Sequence, residues 1–463
     1  MSNYQASATS SSTLEKSIVI AILAILFWAP LPLGSNRDWS SSLLIFLISL
    51  TAVFWTLHLI RTASPILPPI SQKTWGINPT LTMLTLLVAT QIWVAAQWLF
   101  GLSDRPGETF RYLMLGLSFT LLFTMILSLF NTRKRLTILV GVIVASGVLQ
   151  AFWGSMMVLS GIEYLFGVPK ECCIGNATGT FVNRNHLAGY LELAIGLGIG
   201  LMLAMRTGEK ITLRNTLELI MSSKVKTRLA IIIMVIALVM THSRMGNSAF
   251  FISLLIMGAL FIVFRKENRA RNSLLLVSFI VIDMVVISQY FGLERLKDRL
   301  VNTEITITQS ESGSLVFDIN DLRGIAFTNT IPLALEKPLI GYGAGSYEVT
   351  FIGNTGPNFG KRFDHAHNDY LQFWVEFGLI GALPLLIFAL IALAQAIKAL
   401  RHKHSFYRSG IGFGAGMAII ALMIHSSTDF NLQIPANALT FVTVCAIAVL
   451  ANTHTNQKRH KRV

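Results

Sequence analysis

Apolar runs of about twenty residues recur along the chain, and this feature limits its fold more than any other. A bilayer crossing needs roughly 20 mostly apolar residues. Candidate spans fall at 17–35, 41–60, 80–100, 111–130, 136–160, 187–205, 229–242, 247–264, 273–290, 371–397, 411–428 and 437–453. The expected architecture is therefore an all-α polytopic membrane protein with about twelve transmembrane helices. Composition agrees: 53% of the 463 residues are hydrophobic and 13% charged, against about 25% charged in soluble domains. A soluble enzyme, a secreted disulfide scaffold and a disordered chain are excluded. The three cysteines, Cys172, Cys173 and Cys445, are too few for a disulfide framework or a Cys-based metal site. The first apolar run follows a single Lys16, with no A-x-A-like cleavage site, and reads as an uncleaved first helix.

Charge placement gives the orientation. With the N-terminus inside, 24 of the 37 Lys and Arg fall in inside segments, six in short outside loops and seven in the long loop 291–370. That asymmetry follows the positive-inside rule and puts both termini in the cytoplasm. The net charge of +14 then reflects topology and lipid headgroups, with no nucleic acid implied. The expected organisation is a disordered tail at 1–15, helices 1–9 over 16–290 and a large outside loop with short helices at 291–370. Helices 10–12 follow over 371–453, then a basic tail at 454–463. A loop of that length is usually functional.

Polar side chains gather on the outside face. GTFVNRNHLAGY supplies Asn183, Arg184, Asn185 and His186; THSRMGN supplies His242, Ser243 and Arg244. The long loop supplies Arg323 and then DHAHND, and HSSTDFNLQIPAN supplies His425 and Asp429. Arg244 sits at the end of an apolar helix, where an arginine costs roughly 2.5–3.5 kcal/mol to insert. It either snorkels to headgroups or forms an anion site with Arg323 and Arg184, since guanidinium binds phosphate bidentately. Arg323 also fits a solvated helix face beside Asp321, and Asn183 a simple helix cap. In DHAHND, His-x-His is a weak metal signal; His367, nearer the helix and followed by Asn368, is better placed than His365 as a general base. GYGAGS lacks the Lys and Ser/Thr of a P-loop and reads as a Gly-rich turn after Pro338.

His367-Asn368, nine residues, then Gly378-Leu379-Ile380-Gly381 resembles the H-[N/S/Q]-x9-G-x-x-G signature of the O-antigen ligase and polymerase superfamily of bacterial inner-membrane glycan transferases. GTFVNRNHLAGY, THSRMGN, EKPLIGYGAGSYE and HSSTDFNLQIPANALTF add to the resemblance, in order from about residue 175 to 450. The first 170 residues share only the series of spans. Met245 departs from the small residue common after Ser-Arg. The resemblance implies a C-type glycosyltransferase-like helical fold and a glycan donor on undecaprenyl pyrophosphate. The glycan passes whole to an acceptor hydroxyl at the periplasmic face, with inversion, without metal and without a cofactor. It gives His367 the role of base and Arg244 and Arg323 the pyrophosphate; Arg184 joins them on the residue reading alone. Asn368, Asn185, His186 and Asp429 are supporting residues. The expected partners are the lipid-linked donor, a lipid A-core or growing-glycan acceptor, and the membrane.

The sequence leaves lipopolysaccharide ligase, repeat-unit polymerase and protein O-oligosaccharyltransferase open, since all use one donor. A lipid-linked glycan transporter would also show about twelve spans, but needs polar residues along a central path, whereas here they lie on one face. A metal-dependent hydrolase would draw on His365, His367, Asp364 and Asp369.

Overall fold

A computed structural model of the protein describes residues 13–67, 78–170, 172–205, 223–264, 306–309, 315–318, 322–355 and 363–454. Eleven of the twelve candidate spans appear as helices, and the run 273–290 lies outside the described residues. They are α1 (Thr13–Trp28), α2 (Asp38–Thr62), α3 (Pro79–Leu99), α4 (Pro106–Leu129), α5 (Arg133–Ser160), α6 (Arg184–Ala204), α7 (Ser223–Met240), α8 (Arg244–Phe264) and, after two short helices, three more. The short pair is α9 (Leu322–Glu336) and α10 (Tyr347–Thr355); the last three are α11 (Asp369–Leu400), α12 (Phe406–His425) and α13 (Pro435–Thr453). Nine of the described helices are long and apolar enough to cross a membrane. Two small antiparallel ribbons, 164–165 with 168–169 and 306–309 with 315–318, and two 3-10 turns, Leu33–Ser35 and Asn431–Gln433, complete the described elements.

The first helix stops at Trp28, short of the expected residue 35. Pro30 and Pro32 cannot continue it, and the chain turns through Gly34 at φ 70°. Elsewhere the caps follow the sequence. Asn78 accepts from the amides of Thr80 and Leu81 ahead of Pro79, and Thr132 and Ser405 cap α5 and α12.

Helix α6 is the hub. It is buried along nearly its whole length and packs against α5, α7, α8, α12 and α13. Its crossing with α12 is tight because both faces are glycine: a Cβ on Gly200 would lie 2.6 Å from Gly414 Cα. Lipid offers no hydrophobic drive for such a contact, so small residues that let backbones touch supply it through van der Waals packing.

Helix α11 is broken at Gly378, whose φ of 61° and ψ of 179° suit glycine alone. The break frees backbone groups that the GYG turn takes up. Tyr342 N–H donates to Val375 O and Gly343 N–H to Glu376 O, each at 2.9 Å; Leu379 N–H donates to Pro338 O at 2.9 Å. The Trp93 indole and the Gln97 amide from α3 bond the carbonyls of Phe377 and Glu376 at 2.7 and 2.9 Å. Thus the two glycines of the G-x-x-G pattern do different work. Gly378 permits the break, and Gly381 gives Trp93 room, since a Cβ there would be 2.7 Å from the indole. The break fixes the first two and a half turns of α11 as a separate short rod, and the histidine motif sits at its head.

Candidate functional site

The N-termini of α6, α8, α11 and α13 and the C-terminus of α12 meet at one end of the bundle. Asn368 caps α11, its side chain accepting from Leu371 N–H at 3.1 Å; for this residue capping is the observed contact. Asp369 is fully buried and staples the helix start to the α12–α13 connection. Its Oδ2 accepts from Ser426 Oγ at 2.7 Å and Leu432 N–H at 3.0 Å, and its own N–H donates to Ser426 O at 2.9 Å.

That connection carries Asp429 and Phe430. Asp429 is buried and reaches α6: its Oδ2 accepts from the Asn185 amide at 2.5 Å, and its Oδ1 lies 3.8 Å from His186 Nε2. The Phe430 ring is the centre of the cluster. His365 stacks on it at 4.1 Å between centroids and 21°, while His186 and His367 meet it edge-on at 4.7 and 5.0 Å. Three imidazoles from two distant segments are thereby held around one phenyl ring. His367 also has a left-handed backbone, φ 50°. For a non-glycine residue this is uncommon, and such conformations concentrate at functional sites.

His365 is held by Gln372. The Gln372 Oε1 accepts from Ala366 N–H at 3.1 Å, and the Gln372 NH₂ faces Glu376 Oε1 at 3.1 Å. His365 Nδ1 lies 3.0 Å from the Gln372 amide nitrogen and 3.3 Å from its oxygen, so it accepts from the one or donates to the other according to its tautomer. Burial holds the His365 pKa below its ordinary value, against the pull of Asp364. His365 is a neutral imidazole at neutral pH.

The arginines are spread differently. Arg184 opens α6 and donates from Nη1 to Asn176 Oδ1 at 3.0 Å. Arg244 opens α8 from the tight turn Thr241–Ser243, where Ser243 Oγ accepts from Gly246 N–H at 3.2 Å. Its side chain is exposed. Arg323 falls in the first turn of α9, and its side chain lies outside the described residues. The structure thus joins His367, His186, Asn185, Asp429 and Asn368 in one cluster. Arg184 and Arg244 stand at the same end, on the first residues of their helices.

Two features escape the motif reading. Phe430 has no chemical signal of its own and is found only through the fold. Glu192, in the middle of an apolar helix, did carry a signal, because ionisable residues within spans are rare and paired. It faces His425, with Oε1 2.8 Å from Nδ1, and both side chains are fully buried. The four hydrolase candidates do not form a set: among the described residues no three His, Cys, Asp or Glu converge as metal ligands.

Residues 229–386, about a third of the chain, match the family model for O-antigen ligase. The segment runs from α7 to the first half of α11 and contains Arg244, Arg323, His367 and the glycine break. No curated protein matches the chain significantly. The matched segment is similar to O-antigen ligase, a family of glycosyltransferase-like enzymes, and nine of the described helices are long and apolar enough to cross a membrane.

Proposed function

We propose that this chain, with its O-antigen ligase segment, transfers a glycan en bloc from undecaprenyl pyrophosphate to an acceptor hydroxyl at the periplasmic face of the inner membrane. Both termini are cytoplasmic, and loop 291–370 lies on the periplasmic side. The observation that carries this reading is the position of His367. It lies inside the matched segment, heads the short rod of α11, and packs in a cluster of imidazoles at the end of the bundle.

The acceptor oxygen attacks C1 of the donor sugar as the C1–O bond to pyrophosphate breaks, inverting that carbon. His367 takes the hydroxyl proton, an effect of typically 10²–10⁴ on rate. The electron pair leaves on the pyrophosphate, where Arg244, Arg323 and Arg184 stabilise the developing charge. The donor is already activated, so the step needs no nucleotide; metal independence is what the resemblance to the ligases implies. Asn368 holds the helix head; Asp429, His186 and Asn185 hold the neighbouring wall.

The test is transfer by purified protein from a fluorescent lipid-linked glycan. His367→Ala should abolish transfer while donor binding persists, and His365→Ala should be milder. Transfer at the wild-type rate by His367→Ala would refute the general-base role. A deletion strain scored for capped lipid core, polymer length and glycosylated protein assigns the acceptor class; the ligase reading expects loss of capped core.

A further inference from the structure

Beside the histidine cluster lies a polar cleft of about 250 Å³ between the starts of α4, α10 and α11. Its size is near the lower end of the roughly 300–1,000 Å³ typical of ligand sites, which suits one or two sugar rings. Five carboxyl groups line it, Asp38, Glu108, Glu348, Asp364 and Glu376, against the two guanidinium groups of Arg105 and Arg111. Arg111 is committed to Glu108 at 2.7 Å and Arg105 to Glu348 at 3.4 Å. The cleft is thus acid-rich, the wrong sign for a pyrophosphate. Tyr112 and Tyr347 supply aromatic surface, and the neutral His365 closes the end nearest Phe430.

One group points to a ligand. Glu376 is 1% exposed. Its Oε1 accepts from Gln372 and from Tyr347 N–H, and Gly345 N–H also faces the carboxyl, whereas Oε2 is buried with no hydrogen bond closed to it among the described residues. An unsatisfied buried carboxylate oxygen calls for a donor, and sugar hydroxyls are donors that carboxylates bind well.

We infer that this cleft is the acceptor subsite, seating an uncharged or amino sugar with a hydroxyl donated to Glu376 Oε2. The inference rests on the transfer reading above. It adds that the acceptor approaches along α10 and past His365, and that acidic or phosphorylated sugars are excluded at this position.

The test measures binding without transfer. Full-length protein in nanodiscs is titrated with glucose, N-acetylglucosamine, glucosamine, glucuronic acid and glucose 6-phosphate, read by saturation-transfer NMR. The first three should bind, and the two anions about tenfold or more weakly, because like charges juxtaposed in a site are strongly unfavourable. Glu376→Gln, which keeps shape and the Oε1 bonds, should weaken the uncharged sugars about tenfold. Asp364→Asn, at an exposed position, should narrow discrimination against glucuronic acid and serves if Glu376→Gln does not fold. Equal binding of the anions, no binding of any of the five, or unchanged binding and discrimination in the folded variants would overturn the inference. His367→Ala should bind sugars as wild type does. Sugar binding lost with transfer intact removes the cleft alone; transfer retained in His367→Ala removes the base alone.

Discussion

Gly378→Ala isolates the part of the fold that holds the histidine motif in place. At φ 61° and ψ 179° the residue occupies a region essentially reserved for glycine, which costs another residue about 1–3 kcal/mol. A Cβ there would lie 2.1 Å from Leu339 O and 2.7 Å from Gly341 N. Both are backbone atoms, so relief requires the GYG turn to withdraw. Withdrawal breaks the amide bonds from Tyr342 and Gly343 to α11, each worth about 1 kcal/mol net. The total is on the order of 3–5 kcal/mol. With about 2.1 cal/mol/K per residue, a chain of 463 residues has an unfolding entropy near 1 kcal/mol/K, so the apparent Tm should fall by about 3–5 °C. The control is Gly353→Ala on α10, where an added Cβ meets nothing within 4 Å; alanine there should gain about 0.5–1 kcal/mol of helix propensity. Melting of both variants in detergent, followed by intrinsic fluorescence, makes the comparison. If Gly378→Ala melts with Gly353→Ala and transfers normally, the break does not secure the site.

Three more outcomes are expected. Arg244→Lys and Arg323→Lys should each lose most transfer activity at unchanged membrane level, because lysine keeps the charge and loses the bidentate fork; full activity in both would leave Arg244 to lipid headgroups. A single cysteine in 291–370, with the native cysteines removed, should react with impermeant thiol reagents in spheroplasts while one near Lys403 should not; the reverse pattern would put the site in the wrong compartment. The depressed pKa of His365 means the unfolded chain takes up its proton first as pH falls. Its contribution is therefore complete above about pH 6.5 and is lost as pH drops toward the lower folded value. His365→Gln should flatten the decline of Tm with acid below pH 6.5, and an unaltered slope would show that the imidazole titrates no differently in the folded chain.

The spans were legible because roughly 20 apolar residues in a row have few other uses, and the caps at Asn78, Thr132 and Asn368 follow local rules. The end of the first helix was misjudged because the run stays apolar through Leu33, while Pro30, Pro32 and the positive φ of Gly34 decide the backbone. Of the candidate residues, His367, His186, Asn185 and Asp429, which the structure places together, were legible because chemistry-bearing residues stood out near span ends. Phe430 and the Glu376 cleft were not, for two reasons. An aromatic side chain in an apolar chain has no distinguishing pattern. A glutamate two residues before a glycine break reads as an ordinary helix position until the carbonyls around it are seen to be turned toward α3 and the GYG turn.

The rod from Asp369 to Phe377 also acts as a ruler. Its nine residues advance about 13.5 Å and turn through about 900° at 1.5 Å and 100° each. One end is clamped at the Gly378 break by the GYG turn and the other by Asp369 on the α12–α13 connection, so length and rotational phase are set together. Inserting one residue would swing the imidazole of His367 by about 100° around the helix axis, off the edge of Phe430. Inserting four would restore most of the phase but shift the group by about 6 Å along the helix axis. The fixed count between histidine and glycine therefore encodes a distance along the rod as well as a direction, and a surface loop elsewhere in the chain carries no such restriction on its length.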